Sequence, residues 1–117
     1  MAGIAVKRIY EDPAATDGCR VLVDRLWPRG LSKERAALDH WFRDVAPSNE
    51  LRRWYGHDPD KWDEFRRRYR AELDADPSVL DPLRQLMEKE KTVTLLFSSR
   101  NETRNNAVAL AEILREK

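Results

Sequence analysis

Apolar residues occur along this chain in short runs that predict four β-strands. Branched and aromatic side chains predict strands over residues 4–10 and 92–97, and the wholly apolar residues 21–23 predict a strand that is buried on both faces. In residues 38–45, apolar and polar side chains alternate, which favours a fourth strand, although a helical continuation stays open.

Between these runs, apolar residues recur at helical spacing. Ser32 predicts the N-cap of a short helix over residues 33–38. Further helices are predicted over residues 49–55, 59–74, 79–87 and 102–116. Pro82 predicts a kink or a new helix start. Strands that alternate with helices predict a three-layer α/β domain, in which helices flank a small, largely parallel sheet.

Length and composition predict one domain that spans residues 1–117. A chain of 117 residues with 41% hydrophobic residues builds a core without disulfides or metal. Charged residues make up 37%, but 22 basic and 21 acidic side chains nearly cancel. A pI of about 7.9 does not favour a nucleic-acid-binding domain, for which values above about 9 are typical.

Cysteine usage and hydropathy predict a cytoplasmic protein. Cys19 is the single cysteine, which excludes an internal disulfide framework. No apolar stretch approaches the roughly 20 residues of a membrane span, and the N-terminal segment lacks the features of a signal peptide. The two histidines and the cysteine are too far apart in sequence to predict a metal site.

Polar side chains follow two of the predicted strands at the point where each strand ends. They are Asp24, Arg25 and Arg29 after residues 21–23, and Ser98, Ser99 and Arg100 after residues 92–97. If the two strands are parallel neighbours, both groups lie at one edge of the sheet, where ligands of open α/β folds bind. Guanidinium groups, hydroxyls and a following helix N-terminus together predict an anion-binding site.

Structural roles are the alternative for these residues. Asp24 would pair with an arginine as a clamp, and Ser99 or Asn101 would cap a helix. A nucleophilic serine is not favoured, because the Gly-x-Ser-x-Gly motif is missing and no histidine is close in sequence to Ser98 or Ser99. A phosphate-loop motif is missing as well.

Three further side chains have both a functional and a structural interpretation. Trp27 would stack on a ligand or anchor its loop against the core. His57 would transfer protons together with Asp24, or complete a turn between two helices. Asn105 would reach the site as a polar contact if the last helix folds over the edge. The basic run of residues 66–70 has acidic neighbours one helical turn away, which favours a solvated helix face over a phosphate-binding patch.

These residues predict binding of an anionic or phosphorylated small molecule, with a nucleotide among the candidates. In a weaker extension, Asp24 would orient water or a metal for hydrolysis. The alternative is a nucleic-acid-associated or regulatory module without catalysis, and a third class is a partner-binding protein. The sequence motifs indicate neither a cofactor nor a reaction.

Several stretches of this chain closely resemble the YeaO-like proteins, which form the domain-of-unknown-function family four-eight-eight. The most specific is Val-Asp-Arg-Leu-Trp-Pro-Arg-Gly at residues 23–30, and the others are at residues 8–10, 54–59, 65–69 and 105–108. The resemblance implies a small bacterial or archaeal cytoplasmic α/β protein and no particular activity. Relatives often carry Ala or Lys after the last strand and a histidine beyond it, where this chain has residues 98–100 and Arg104 or Asn106. A catalytic role that depends on that histidine would be weakened here.

Overall fold

In the computed structural model, which describes residues 2–116, four parallel strands form one sheet in the order β1-β4-β2-β3. The strands are β1 (Gly3–Arg8), β2 (Cys19–Leu22), β3 (His40–Trp41) and β4 (Thr92–Phe97). β4 pairs with β1 on one side and with β2 on the other. The sheet confirms the prediction that the strands ending at the two polar clusters are parallel neighbours.

Within residues 2–116, five α-helices connect or follow the strands. They are α1 (Lys33–Ala36), α2 (Asn49–Tyr55), α3 (Trp62–Ala75), α4 (Asp81–Lys89) and α5 (Asn106–Arg115). None of the helices within residues 2–116 combines the length and the apolar character that a membrane crossing requires. Ser32, Ser48 and Asn105 cap three of the helices, since each side chain accepts a hydrogen bond from a backbone N–H of the first turn.

Buried apolar side chains form clusters on both faces of the sheet, which confirms the predicted α/β fold. Val21 and Leu95 belong to the larger cluster, together with apolar residues of α2, α3, α4 and α5. Leu22 and Leu96 point to the opposite face and pack with Ala36 of α1 in a smaller cluster. The carboxyl ends of β2 and β4 therefore lie between a thick helical layer and a thin one.

The predicted strand over residues 38–45 is wrong except at His40–Trp41. Arg43–Val45 instead form a 3-10 turn, after which the chain leaves the sheet. β3 pairs with β2 at only two positions, because the chain turns away as soon as Trp41 has reached the end of β2. In this segment Trp41 and Phe42 are half-buried and only Val45 is buried, so the alternating polarity does not mark a strand that is paired along its whole length.

The last helix begins later than predicted. α5 starts at Asn106, so the prediction of a helix from residue 102 is wrong at its N-terminal end. Asn101 and Asn105 explain the delay. The side chain of Asn101 accepts hydrogen bonds from the backbone N–H groups of Thr103 and Arg104 and holds them in a turn. The Asn105 side chain then caps the helix at Val108.

β4 and α2 have their predicted bounds, and the remaining elements differ from the structure by a few residues. The strand predicted at residues 4–10 ends at Arg8, and the one predicted at residues 21–23 is shifted toward Cys19. The helix predicted over residues 33–38 ends at Ala36, because Ala37 adopts a left-handed backbone. Pro82 does mark a new start, since it follows a 3-10 turn at the beginning of α4.

A buried ion pair ties the start of β2 to the thin layer. Arg20 is 4% exposed and donates one hydrogen bond to Asp17 at 2.5 Å. Its other nitrogens donate to the carbonyl oxygens of Ala36 and Ala37 at 2.8 and 3.1 Å. Burial by itself raises the pKa of the Asp17 carboxyl, but hydrogen bonds from the Ala14 N–H, Lys7 and Arg20 outweigh it and leave the pKa below its usual value.

We predict that Arg20→Met destabilises the protein by about 3–5 kcal/mol, because the Asp17 carboxylate and two carbonyl oxygens lose a buried partner. Urea denaturation measures this free energy of unfolding. Arg35→Met is the matched control, since Arg35 approaches Asp12 only at the surface, and it is expected to cost less than about 1 kcal/mol. Equal costs for the two variants would contradict the structural role of Arg20.

The lowered pKa of Asp17 also predicts a pH dependence. Because the folded-state pKa lies below the unfolded one, Asp17 stabilises the fold above its ordinary pKa, and this contribution is lost as the pH falls through the folded-state pKa. Asp17→Asn is therefore expected to flatten the decline in unfolding free energy between about pH 5 and pH 2. Asp12→Asn, on an exposed carboxylate, should leave the slope unchanged. Equal slopes for wild type and Asp17→Asn would argue against the ion pair.

Candidate functional site

A cavity of about 240 Å³ opens beyond the carboxyl ends of β2 and β4. Its lining includes most of the side chains that the sequence placed at this edge: Asp24, Arg25, Trp27, Arg29, His57, Ser98, Ser99 and Asn105. Arg52 of α2 and Asn106 of α5 complete the polar part. Three arginines therefore face a cavity that contains one carboxylate, which gives the site a positive balance of charge.

Asp24 is the hub of hydrogen bonds at the base of this site. One carboxylate oxygen accepts the backbone N–H of Ser98 at 2.9 Å and its hydroxyl at 2.7 Å. The other accepts the side-chain amide of Asn106 at 3.0 Å, and that amide also donates to the carbonyl oxygen of Val23. Asp24 does act as a structural clamp, but its partners are a serine and an asparagine rather than an arginine.

Arg25 is half-buried and anchored to the segment that precedes α2. Its Nε donates to the carbonyl oxygen of Pro47 at 3.1 Å, and one Nη donates to that of Ala46 at 3.0 Å. A guanidinium group has five N–H donors, so these two bonds leave three for other acceptors. The bonds fix the position of the charge, which reduces the conformational entropy that a ligand would otherwise have to remove.

Trp27 anchors its loop while one side of its ring lines the cavity. Its indole N–H donates to the carbonyl oxygen of Leu31 at 2.7 Å, and its ring meets Trp41 edge-on with the centroids 5.3 Å apart. Trp41 in turn donates its indole N–H to the carbonyl oxygen of Asp24 at 2.7 Å. The indole N–H and the ring edge that meets Trp41 therefore anchor the loop, and the same ring also lines the cavity.

Arg29 and Arg52 bring exposed guanidinium groups to the cavity from two different elements. The backbone of Arg29 is held by the Tyr10 hydroxyl, which donates to its carbonyl oxygen at 2.7 Å. Arg52 lies on α2 and donates to the side chain of Asn49 at 3.3 Å. Their exposure leaves both groups accessible to an anion that enters from solvent.

His57 lies at the rim of the cavity, opposite Ser99. Its backbone is left-handed, with φ of 59°, and the preceding Gly56 has φ of 53°. Two such residues in succession turn the chain sharply after α2 and place Nδ1 of His57 3.4 Å from Oγ of Ser99. This is a long contact between an exposed imidazole and a hydroxyl at the rim of the cavity.

Asn105 is 2% exposed and its side chain is engaged on both sides. Its oxygen accepts the N–H of Val108 and its amide nitrogen donates to the carbonyl oxygen of Asn101, both at 2.9 Å. Asn105 therefore shapes the wall of the cavity and orients the N-terminus of α5. Arg8 similarly fixes the loop after β4, because its Nε donates to the carbonyl oxygen of Ser99 at 3.0 Å.

Arg100, a sequence candidate, and Cys19 both lie outside the cavity. Arg100 is exposed and is not among the residues that line the cavity. Cys19 is at the opposite end of β2, and burial raises the pKa of its thiol to about 11, which disfavours the reactive thiolate. Within residues 2–116, no group of three or more His, Cys, Asp or Glu side chains is arranged to hold a metal ion.

The basic run on α3 is paired within the protein. Arg67 and Arg68 form salt bridges with Glu64, and Arg66 pairs with Asp63 and with Glu112 of α5. Arg70 binds Glu116. These contacts agree with the interpretation of the run as a solvated helix face.

Two residues that line the cavity were missed from the sequence. Arg52 lies within the predicted helix over residues 49–55 and Asn106 within a stretch that resembles the family, but neither was predicted as a site residue. The Ser48 cap marks the start of α2 and therefore the position of Arg52 around the helix axis. The sequence does not indicate the direction in which α2 crosses the sheet, so it does not show that Arg52 reaches the cavity. For Asn106, the pattern that could have been used is the pair Asn105-Asn106, since asparagine is common where a helix begins.

Comparisons with known proteins concern the family of this chain rather than the chemistry of its cavity. Residues 3–117 match a family model described as the inactive DUF488-N3 subclade. The chain is 45% identical over 111 residues to the uncharacterised protein Rv3073c of Mycobacterium tuberculosis H37Rv, an alignment that covers 95% of this chain and 92% of the relative. It is 41% identical over 112 residues to the uncharacterised protein YeaO of Escherichia coli K12, with 96% of each chain covered. No solved structure matches the chain. The protein thus belongs to the YeaO-like DUF488 family, within the subclade described as inactive.

Proposed function

We propose that this protein binds a small phosphorylated or otherwise anionic molecule in the cavity at the ends of β2 and β4, without transforming it. The observation that carries the proposal is the convergence of Arg25, Arg29 and Arg52 on one cavity that holds a single carboxylate. Guanidinium groups match the planar oxygen pairs of phosphate and carboxylate and bind them with two parallel hydrogen bonds.

The other polar groups of the cavity suit the same ligand class. The Ser99 hydroxyl lies at the rim, and α5 begins at the cavity with Asn106. The N-terminus of a ten-residue helix carries a partial positive charge, which favours a nearby anion. Arg25 is already held by two carbonyl oxygens, so its charge needs little reorganisation on binding.

The hydrogen bonds of Asp24 support binding rather than hydrolysis. Its two carboxylate oxygens accept three hydrogen bonds from Ser98 and Asn106, so most of its roughly four acceptor sites are in use and little capacity is left for a general base. His57 meets Ser99 only at 3.4 Å, longer than the contact between an activated nucleophile and its base. The subclade's description as inactive is in keeping with this arrangement.

The pairing of charges favours a small anion over a nucleic acid. The longest basic run of the chain, on α3, is neutralised by Asp63, Glu64, Glu112 and Glu116. The arginines that face the cavity surround a concave site instead of forming a stripe along a backbone. The single cysteine and the bacterial relatives support a cytoplasmic location in a prokaryotic cell.

We predict that phosphate at about 100 times its dissociation constant raises the melting temperature by roughly 10 °C, since such saturation adds about 2.7 kcal/mol. Arg29→Gln removes an exposed charge and is expected to weaken phosphate binding by about 10- to 100-fold, the equivalent of one charge-assisted hydrogen bond. Isothermal titration calorimetry at constant ionic strength measures the two affinities.

Arg84→Gln is the control for this experiment, because Arg84 is an exposed arginine on α4, away from the cavity. It should leave both the affinity and the melting temperature unchanged. Equal losses of phosphate affinity in Arg29→Gln and Arg84→Gln would show that phosphate binding depends only on the net charge of the protein.

If millimolar phosphate, sulfate and nucleoside monophosphates all fail to shift the melting temperature, the proposal is wrong. Tight, salt-dependent binding of DNA or RNA in their place would favour the nucleic-acid-associated alternative.

A further inference from the structure

One wall of the cavity is apolar and open to solvent. Among residues 2–116, Leu26 is the large hydrophobic side chain that remains exposed, at 59%, and it lies on this wall. Trp27 and Pro28 continue the wall from the same loop. An exposed leucine by itself is ordinary, but one that extends an aromatic ring at a cavity mouth offers apolar surface that a ligand would remove from water.

The cavity is also lined by two buried aromatic rings. Tyr55 and Phe65 line it from α2 and α3, and their rings stack with the centroids 4.3 Å apart. Both side chains are at least 95% buried, and the Tyr55 hydroxyl is turned away to donate to the carbonyl oxygen of Arg104. The rings therefore present hydrocarbon to the cavity, not polar atoms.

The anionic and apolar parts of the lining lie close together. Arg25, Leu26 and Trp27 are consecutive in sequence, and all three line the same cavity of about 240 Å³. This volume is below the roughly 300–1,000 Å³ of sites that enclose drug-sized ligands. A molecule that fills the cavity therefore has its apolar group next to its charged group, without a long polar spacer.

Resting on the binding function proposed above, we infer that the ligand is an anion joined directly to a small flat apolar ring, such as an aryl phosphate or an aryl carboxylate. Arg25, Arg29 and Arg52 take the oxygens, and the loop of Leu26 and Trp27 covers the ring. An inorganic oxyanion would leave this apolar wall exposed to water. A sugar phosphate would place its hydroxyl groups against the wall, where they find no hydrogen-bond acceptor.

Calorimetric titration with phenyl phosphate, methyl phosphate and ribose 5-phosphate tests this inference, because all three are phosphate monoesters. Phenyl phosphate is expected to bind at least tenfold more tightly than the other two. A tenfold preference corresponds to the burial of roughly 60 Å² of apolar surface at about 25 cal/mol per Å². Ribose 5-phosphate should bind no better than methyl phosphate.

Two variants of Leu26 test whether the preference for phenyl phosphate arises at this wall. Leu26→Ser is expected to reduce the preference for phenyl phosphate to about threefold or less and to leave methyl phosphate binding unchanged. Leu26→Met retains an apolar side chain and should keep the full preference. Because the side chain is exposed, neither change is expected to alter the melting temperature of the free protein.

The outcomes separate this inference from the function on which it rests. Equal affinity for phenyl and methyl phosphate would overturn the ring-binding wall but leave anion binding intact. A preference for phenyl phosphate that Leu26→Ser does not change would also overturn it, because the ring would then lie elsewhere. Failure of all three monoesters to bind would refute anion binding itself.

Discussion

The carboxylate of Asp24 connects the three elements that enclose the cavity. It follows β2, accepts two hydrogen bonds from Ser98 at the end of β4, and accepts a third from Asn106 at the start of α5. Charge-assisted hydrogen bonds are stronger than neutral ones, and a partly buried carboxylate is costly when it lacks donors. Together with the backbone pairing of β2 and β4, this side chain fixes the two strand ends and the start of α5 relative to one another.

The three arginines that line the cavity differ in how firmly the protein holds them. Arg25 is bound to the carbonyl oxygens of Ala46 and Pro47, so it joins the β2 loop to the segment before α2 while retaining donors. Arg29 and Arg52 are exposed and reach the same cavity from opposite elements. This combination places one fixed cation and two exposed cations around a carboxylate whose oxygens accept hydrogen bonds from Ser98 and Asn106. The arrangement supports the proposed binding of an anion.

The sequence predictions are accurate where residues close in sequence determine an element, and less accurate where contacts with distant segments determine it. β4 was predicted with its observed bounds, because Thr92–Phe97 is an apolar, branched run with polar residues on either side. α2 was also predicted correctly, since the Ser48 cap and the left-handed Gly56 determine its two ends within a few residues. Residues 38–45 were predicted incorrectly, because an alternating pattern does not reveal how much of a segment has a neighbouring strand to pair with.

For the site, the sequence by itself determined the chemistry of the strand ends: a carboxylate, arginines and hydroxyls directly after two apolar runs. It also indicated the edge at which they meet, because parallel strands that lie side by side end together. Only the tertiary structure decided which arginines share the cavity. Arg52 lines it and Arg100 does not, since the crossing direction of α2 and the turn held by Asn101 depend on packing between distant segments. Local patterns record residue type and helical phase, whereas the direction of a side chain in space depends on contacts that sequence spacing does not encode.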